Sequence, residues 1–144
     1  MMKATIRHTG IVVNNLQKSL DFWCNDLGFQ VIRKMDESGT QIDSILGLKG
    51  AKLTTAKLGD KNGNQIELLK FHSHQNKSTW KGNTYTTGLT HIALNVDNLS
   101  DLHLHLCNLG YKFNVEPQVS VDGLVKVTYM HGPEGLLLEL VETN

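Results

Sequence analysis

A chain of 144 residues is long enough to bury one real core, and 40% hydrophobic with 19% charged residues is an ordinary globular composition. Its 14 basic and 14 acidic side chains cancel, and neither sign forms a block, which excludes the basic patch that nucleic acid or an acidic membrane surface calls for. No apolar run approaches the ~20 residues of a bilayer span, and Met1-Met2-Lys3-Ala4-Thr5 leads into a strand-like run without the apolar stretch of a signal peptide, so a soluble, cytoplasmic protein is expected.

In chain order, residues 4–13 read as a strand with Ile6, His8, Gly10 and Val12 on one face. Asn15 suits an N-cap. Leu16, Leu20, Trp23 and Leu27 then recur at helical spacing, and Gly28 is a natural stop. Phe29–Lys34 reads as extended and Asp36–Gly39 as a turn. Two strands follow, Thr40–Leu46 and Leu53–Leu58, and then Gly59-Asp60-Lys61-Asn62-Gly63 turns the chain into a strand over Asn64–Phe71. A polar connector runs from 72 to 87, longer than most loops inside a domain. Beyond it the order returns: a strand over Gly88–Val96, a helix capped by Asn98 with Leu99, Leu102, Leu106 and Leu109 on one face, and a stop at Gly110. Tyr111–Val115 is extended, Leu124–Met130 is a strand, His131–Gly135 is a turn, and Leu136–Glu142 closes the chain.

The chain thus says one thing twice. Arg7-His8-Thr9-Gly10-Ile11-Val12-Val13 has its echo in Thr90-His91-Ile92-Ala93-Leu94-Asn95-Val96, 83 residues on, and Gly63-Asn64-Gln65-Ile66-Glu67-Leu68 in Gly135-Leu136-Leu137-Leu138-Glu139-Leu140, 72 residues on. Such repetition sets the architecture. The fold class is α+β: two tandem modules (about 4–71 and 88–144, joined by the linker 72–87) within a single domain 1–144. Each module carries a mixed sheet with one crossover helix, and the two sheets make a trough.

Each module also places one histidine in an apolar strand and one glutamate in another. An unpaired carboxylate in a strand as apolar as Leu137–Val141 costs several kcal/mol or is forced neutral. One divalent cation would compensate both Glu67 and Glu139, with His8 and His91 adding affinity without charge. This nitrogen and oxygen set without thiolate suits nickel, cobalt, zinc, iron(II) or manganese. Four protein ligands in an octahedral shell leave two positions open, as catalysis requires.

The combination of Arg7–Val13, Ser19-Leu20-Asp21-Phe22-Trp23 ending at Leu27-Gly28-Phe29, Ile66-Glu67-Leu68, Thr90–Leu94, and Gly132-Pro133-Glu134-Gly135 with Leu138-Glu139-Leu140 resembles the vicinal oxygen chelate superfamily. That superfamily includes glyoxalase I, methylmalonyl-CoA epimerase, extradiol dioxygenases and the bleomycin and fosfomycin resistance proteins. The resemblance covers nearly the whole chain. It implies paired βαβββ modules forming a half-barrel, a metal held by His8, Glu67, His91 and Glu139, and a homodimer. It also implies a glyoxalase-type lyase or isomerase that moves a proton next to a carbonyl through an enediolate, with Glu67 and Glu139 as proton carriers on a small-molecule substrate. Two positions depart from glyoxalase I: Val12 stands where an arginine often binds glutathione, and Phe71 where an asparagine is common. The alternatives are an extradiol-type dioxygenase using His8, His91 and Glu139, and a non-catalytic, resistance-type binding protein.

Other chemistry-bearing residues have plainer readings. Cys24 and Cys107 are small helix hydrophobes, and His72, His74 and His131 belong to loops and turns. His103 and His105 lie on a helix with at least one exposed, and Trp23 is core. Asp36, Glu37 and Asp43 are spare carboxylates near the trough rim, and Gln41 and Asp43 share a strand face.

Overall fold

The computed structural model describes residues 1–75, 78–80 and 83–144, so Asn76, Lys77, Lys81 and Gly82 of the connector lie outside the described residues. The chain divides into two units, Met1–Ser78 and Thr79–Asn144.

Unit 1 holds β1 (Thr9–Val12), α1 (Leu16–Leu20) running on as a π-helical segment (Asp21–Asp26), β2 (Gln30–Ser38), α2 (Thr40–Leu46), β3 (Lys52–Gly59) and β4 (Gln65–Phe71). Its sheet has four strands in the order β1-β4-β3-β2. β1 runs parallel to β4, and the other pairs are antiparallel. A parallel pair needs a crossover, and here the helices and strands between the unit's first and last strands supply it. Unit 2 holds β5 (Ile92–Asn95), α3 (Leu99–Asn108), β6 (Lys112–Phe113), β7 (Gln118–Val119), β8 (Val125–His131), a 3₁₀ turn at Pro133–Gly135 and β9 (Leu137–Thr143). Its sheet runs β5-β9-β8-β6 with β7 also on β8, and β5 and β9 are again parallel. Both sheets are mixed and open, as the duplicated strand–helix–strand order predicts. No helix among the described residues is long and apolar enough to cross a membrane.

The helices start where the sequence places caps. The Asn15 side chain accepts from the Lys18 amide at 3.0 Å and Asn98 from the Asp101 amide at 3.1 Å, each satisfying a donor with no partner inside its helix. Glu142 adds a second contact at α3, accepting from the Leu99 amide at 2.7 Å. α1 packs on β4, α3 on β9, and α2 lies against β2. Strand alternation turns Ile66, Leu68, Ala56 and Leu58 toward the helix side in unit 1, and Leu138, Leu140, Met130 and Thr128 in unit 2, all buried. The opposite face of each sheet carries the histidines and glutamates, and at the first strand it is open: Gly10, Val12, Ala93 and Asn95 are exposed.

Four expectations need correction. Thr40–Leu46 is a helix, not a strand. Gly39 (φ 110) and Gly47 (φ 70) bracket it in conformations that favour glycine, and the Asp43 carboxylate accepts from the Gly50 and Ala51 amides at 2.9 and 2.8 Å. Gln41 and Asp43 therefore share no strand face. Residues Asp36–Ser38, read as a turn, finish β2. The first and fifth strands are shorter than 4–13 and 88–96 suggest, because pairing begins only at Thr9 and Ile92. Finally, the segment after Leu20 winds as a π-helix, so Ser19, Phe22 and Trp23 are the buried positions while Leu16, Leu20 and Leu27 are half-buried.

Candidate metal centre

The two histidine–glutamate pairs arise from strand register. Gly10 lies opposite Glu67 across β1 and β4, and Ala93 opposite Glu139 across β5 and β9. A histidine two residues before each small residue shares its face, which puts one imidazole beside one carboxylate in each unit. His8 Nε2 lies 3.8 Å from Glu67 Oε1, and His91 Nε2 lies 3.2 Å from Glu139 Oε2. The side chains keep 27% and 15% of their surface in the first pair and 30% and 25% in the second, enclosed enough to matter and open enough to reach. A Cβ on Gly10 would meet only Leu69 at an ordinary 3.6 Å, consistent with alanine at the twin position.

The donor chemistry fits a divalent cation. Two ligands at right angles, each about 2.1 Å from one ion, stand about 3 Å apart, near the separations within each pair. His91 Nδ1 is hydrogen-bonded to Thr90 Oγ1 at 2.8 Å. An imidazole anchored at one nitrogen presents the other to a metal. His8 Nδ1 is buried with no hydrogen-bond partner among the described residues, so this ring lacks an anchor of the kind Thr90 gives His91. Among the described residues no three histidine, cysteine, aspartate or glutamate side chains gather into one cluster. Each unit supplies a pair.

Two neighbours of these pairs escaped the sequence reading. Tyr129 lies opposite Glu139 across β8 and β9, and Lys57 opposite Glu67 across β3 and β4. The Tyr129 ring meets His91 edge-on at 5.1 Å, and its hydroxyl is 3.4 Å from His91 Nε2. Partial burial raises the phenol pKa first, and the Glu139 charge and a hydrogen bond to that carboxylate raise it further. Each neighbour precedes its glutamate by ten residues across a hairpin, a spacing that marks both positions once the hairpins are known.

The remaining candidates separate from these pairs. Asp36 Oδ1 accepts from Thr54 Oγ1 at 2.6 Å, and the same hydroxyl lies 2.7 Å from His72 Nε2; Asp36 and Thr54 are in register on the helix side of the sheet, away from Glu67. His72 is thus bonded, not simply solvated. Glu37 shares the Glu67 face, opposite Leu53. His74 Nδ1 is 2.9 Å from Ser73 Oγ. His131, exposed, ends β8 instead of lying in the turn, with Nε2 3.3 Å from Asn114. His103 packs edge-on against Phe113, and Cys107, exposed, lies 3.5 Å from His103. Cys24 is half-buried, and burial raises its thiol pKa.

The family model described as the glyoxalase/bleomycin resistance protein/dioxygenase superfamily matches residues 5–140. A probable lactoylglutathione lyase of Synechocystis is 29% identical over 140 residues, covering 95% of this chain and 94% of that protein. A probable lactoylglutathione lyase of Vibrio cholerae is 24% identical, covering 100% and 94%. Among solved structures, a glyoxalase family protein from Bacillus cereus superposes with a TM-score of 0.91 at 19% identity, covering 99% of this chain and 96% of that one. The trypanothione-dependent glyoxalase I of Leishmania major superposes with a TM-score of 0.68 at 22% identity, covering 97% and 87%.

Proposed function

The chain belongs to the glyoxalase/bleomycin resistance protein/dioxygenase superfamily, and on that premise we propose that it is a divalent-metal-dependent lyase or isomerase of the glyoxalase type, acting in the cytoplasm as a homodimer on a small molecule. His8, Glu67, His91 and Glu139 are the proposed ligand set within a single domain 1–144, each unit giving one histidine and one glutamate. The observation that carries this reading is the repeated pair on the open sheet face, at 3.8 Å in one unit and 3.2 Å in the other. The names of the two lactoylglutathione lyase relatives support the reaction class.

When bound, the cation supplies Lewis-acid polarisation of two neighbouring substrate oxygens. The chain supplies the rest. One carboxylate takes a proton from the carbon next to a carbonyl and a carboxylic acid returns one, with no net oxidation. Thr90 holds the His91 ring in place. Tyr129 orients the Glu139 carboxylate by hydrogen bonding to it. Val12 and Phe71, exposed and half-buried on the Glu67 face, offer no ion or amide to a glutathione carboxylate, which favours a different substrate.

The test is metal content by mass spectrometry on the reconstituted protein. Turnover of the methylglyoxal–glutathione adduct and of methylmalonyl-CoA is measured alongside, with dioxygen uptake on catechols as the assay for the oxygenase branch. About one divalent ion per ligand set with proton-transfer turnover is expected. A chain that stays metal-free ends the reading. Tyr129→Phe is expected to weaken zinc binding by about tenfold, the low end for loss of a hydrogen bond behind a ligand. Titration calorimetry checks this, and an unchanged affinity would reduce the phenol to a space-filler.

A further inference from the structure

The register that places Lys57 beside Glu67 also places Arg33 beside Lys57, so β2, β3, β4 and β1 present a row of Arg33, Lys57, Glu67 and Gly10 on one face. Arg33 is exposed and Lys57 half-buried. Like charges directly opposite on antiparallel strands destabilise the sheet; Glu67, opposite Lys57 on its other side, brings one negative charge to this row of two cations. Among the described residues neither cation is ion-paired with a carboxylate: Glu67 is engaged by His8, and Asp36 by Thr54 on the other face. The matching positions of unit 2 hold Ala93, Glu139, Tyr129 and Asn114, the last bonded through its amide to the Tyr129 carbonyl, and none of them is cationic. The two positive charges are therefore peculiar to the Glu67 side and are not a requirement of the duplicated fold.

We propose that Arg33 and Lys57 form an anion subsite beside Glu67 that receives an acidic oxyanion group of the substrate, a carboxylate or a phosphate. An oxyanion offers several acceptors, and a guanidinium with an ammonium supplies a fork and a point charge on the same side. Neighbouring strands are about 5 Å apart, so Lys57 is rooted about 5 Å and Arg33 about 10 Å from the Glu67 column. The acidic group of the substrate thus lies a few bonds from the carbon at which the proton moves. This assignment rests on the proposed role of Glu67, but its test does not need the metal.

Titration calorimetry of the full chain with inorganic phosphate and with succinate, before and after EDTA treatment, compares wild type with Lys57→Gln, Arg33→Gln and the double variant. Lys34→Gln, on the opposite face opposite Ala56, controls for general charge, and Lys57→Arg tests for rescue. Saturable binding of one of the two anions is expected, and which one binds identifies the group. Binding should be about tenfold weaker in each glutamine variant and lost in the double variant, with Lys34→Gln and Lys57→Arg close to wild type and no fall in thermal midpoint. Absence of binding to either anion in wild type overturns the subsite, as does equal binding by the double variant. Metal content separates the two readings: anion binding by a protein that takes up no metal removes the enzyme proposal alone, and intact metal with anion binding indifferent to both substitutions removes the subsite alone.

Discussion

Alanine in place of His91 is expected to release the metal and lower kcat by about 10²–10⁴-fold, because Lewis-acid stabilisation worth several kcal/mol is lost with the ion. The imidazole is anchored by Thr90 at 2.8 Å and sits 3.2 Å from Glu139, so its removal takes away one ligand of the proposed set and leaves the second unit with a carboxylate alone. Glu139→Gln separates ligation from proton transfer. Its amide oxygen remains a ligand while its basicity is gone, so metal should stay bound and turnover should fall by a similar factor. Mass spectrometry of both variants with single-turnover kinetics reads the two effects apart. Full metal stoichiometry in His91→Ala would remove that residue from the ligand set.

The largest expected loss of stability follows Trp23→Ala, at about 3–5 kcal/mol. Trp23 keeps 1% of its surface exposed and meets Phe22 and Phe29 edge-on at 5.7 and 5.0 Å. Edge-to-face aromatic pairs contribute about 0.5–1.5 kcal/mol beyond area burial, and both contacts are lost with the indole. Against a total stability of about 5–15 kcal/mol, such a loss should leave unit 1 marginal. Urea denaturation compared with Leu20→Ala, a half-buried position of the same helical run, gives the control. Similar costs at the two sites would show that the π-helical turn does not set which side chains are buried.

Much of the architecture can be read from residues alone, because the duplication supplies two independent views of each element. Asn15 and Asn98 cap the helices they precede, and the histidines and glutamates fall on one face because strand parity is fixed by backbone geometry. What misleads is local. Thr40-Gln41-Ile42-Asp43-Ser44-Ile45-Leu46 alternates well enough to pass for a strand, and only the positive φ of Gly39 and Gly47 and the Asp43 contacts with the following loop make it helical. The regular 3.6 spacing of Leu16, Leu20, Trp23 and Leu27 conceals the extra residue per turn that buries Phe22. β7, two residues long, carries no periodic signal. Tyr129 and Lys57 lie on strands with no mark of their own, since their importance comes from the partner strand.

The two glutamates keep unlike company: register sets the Lys57 ammonium opposite Glu67 in unit 1 and the Tyr129 phenol opposite Glu139 in unit 2. Duplication thus preserved the backbone frame of each carboxylate while the residue across its hairpin diverged, and each unit can be altered at that residue without touching its histidine–glutamate pair.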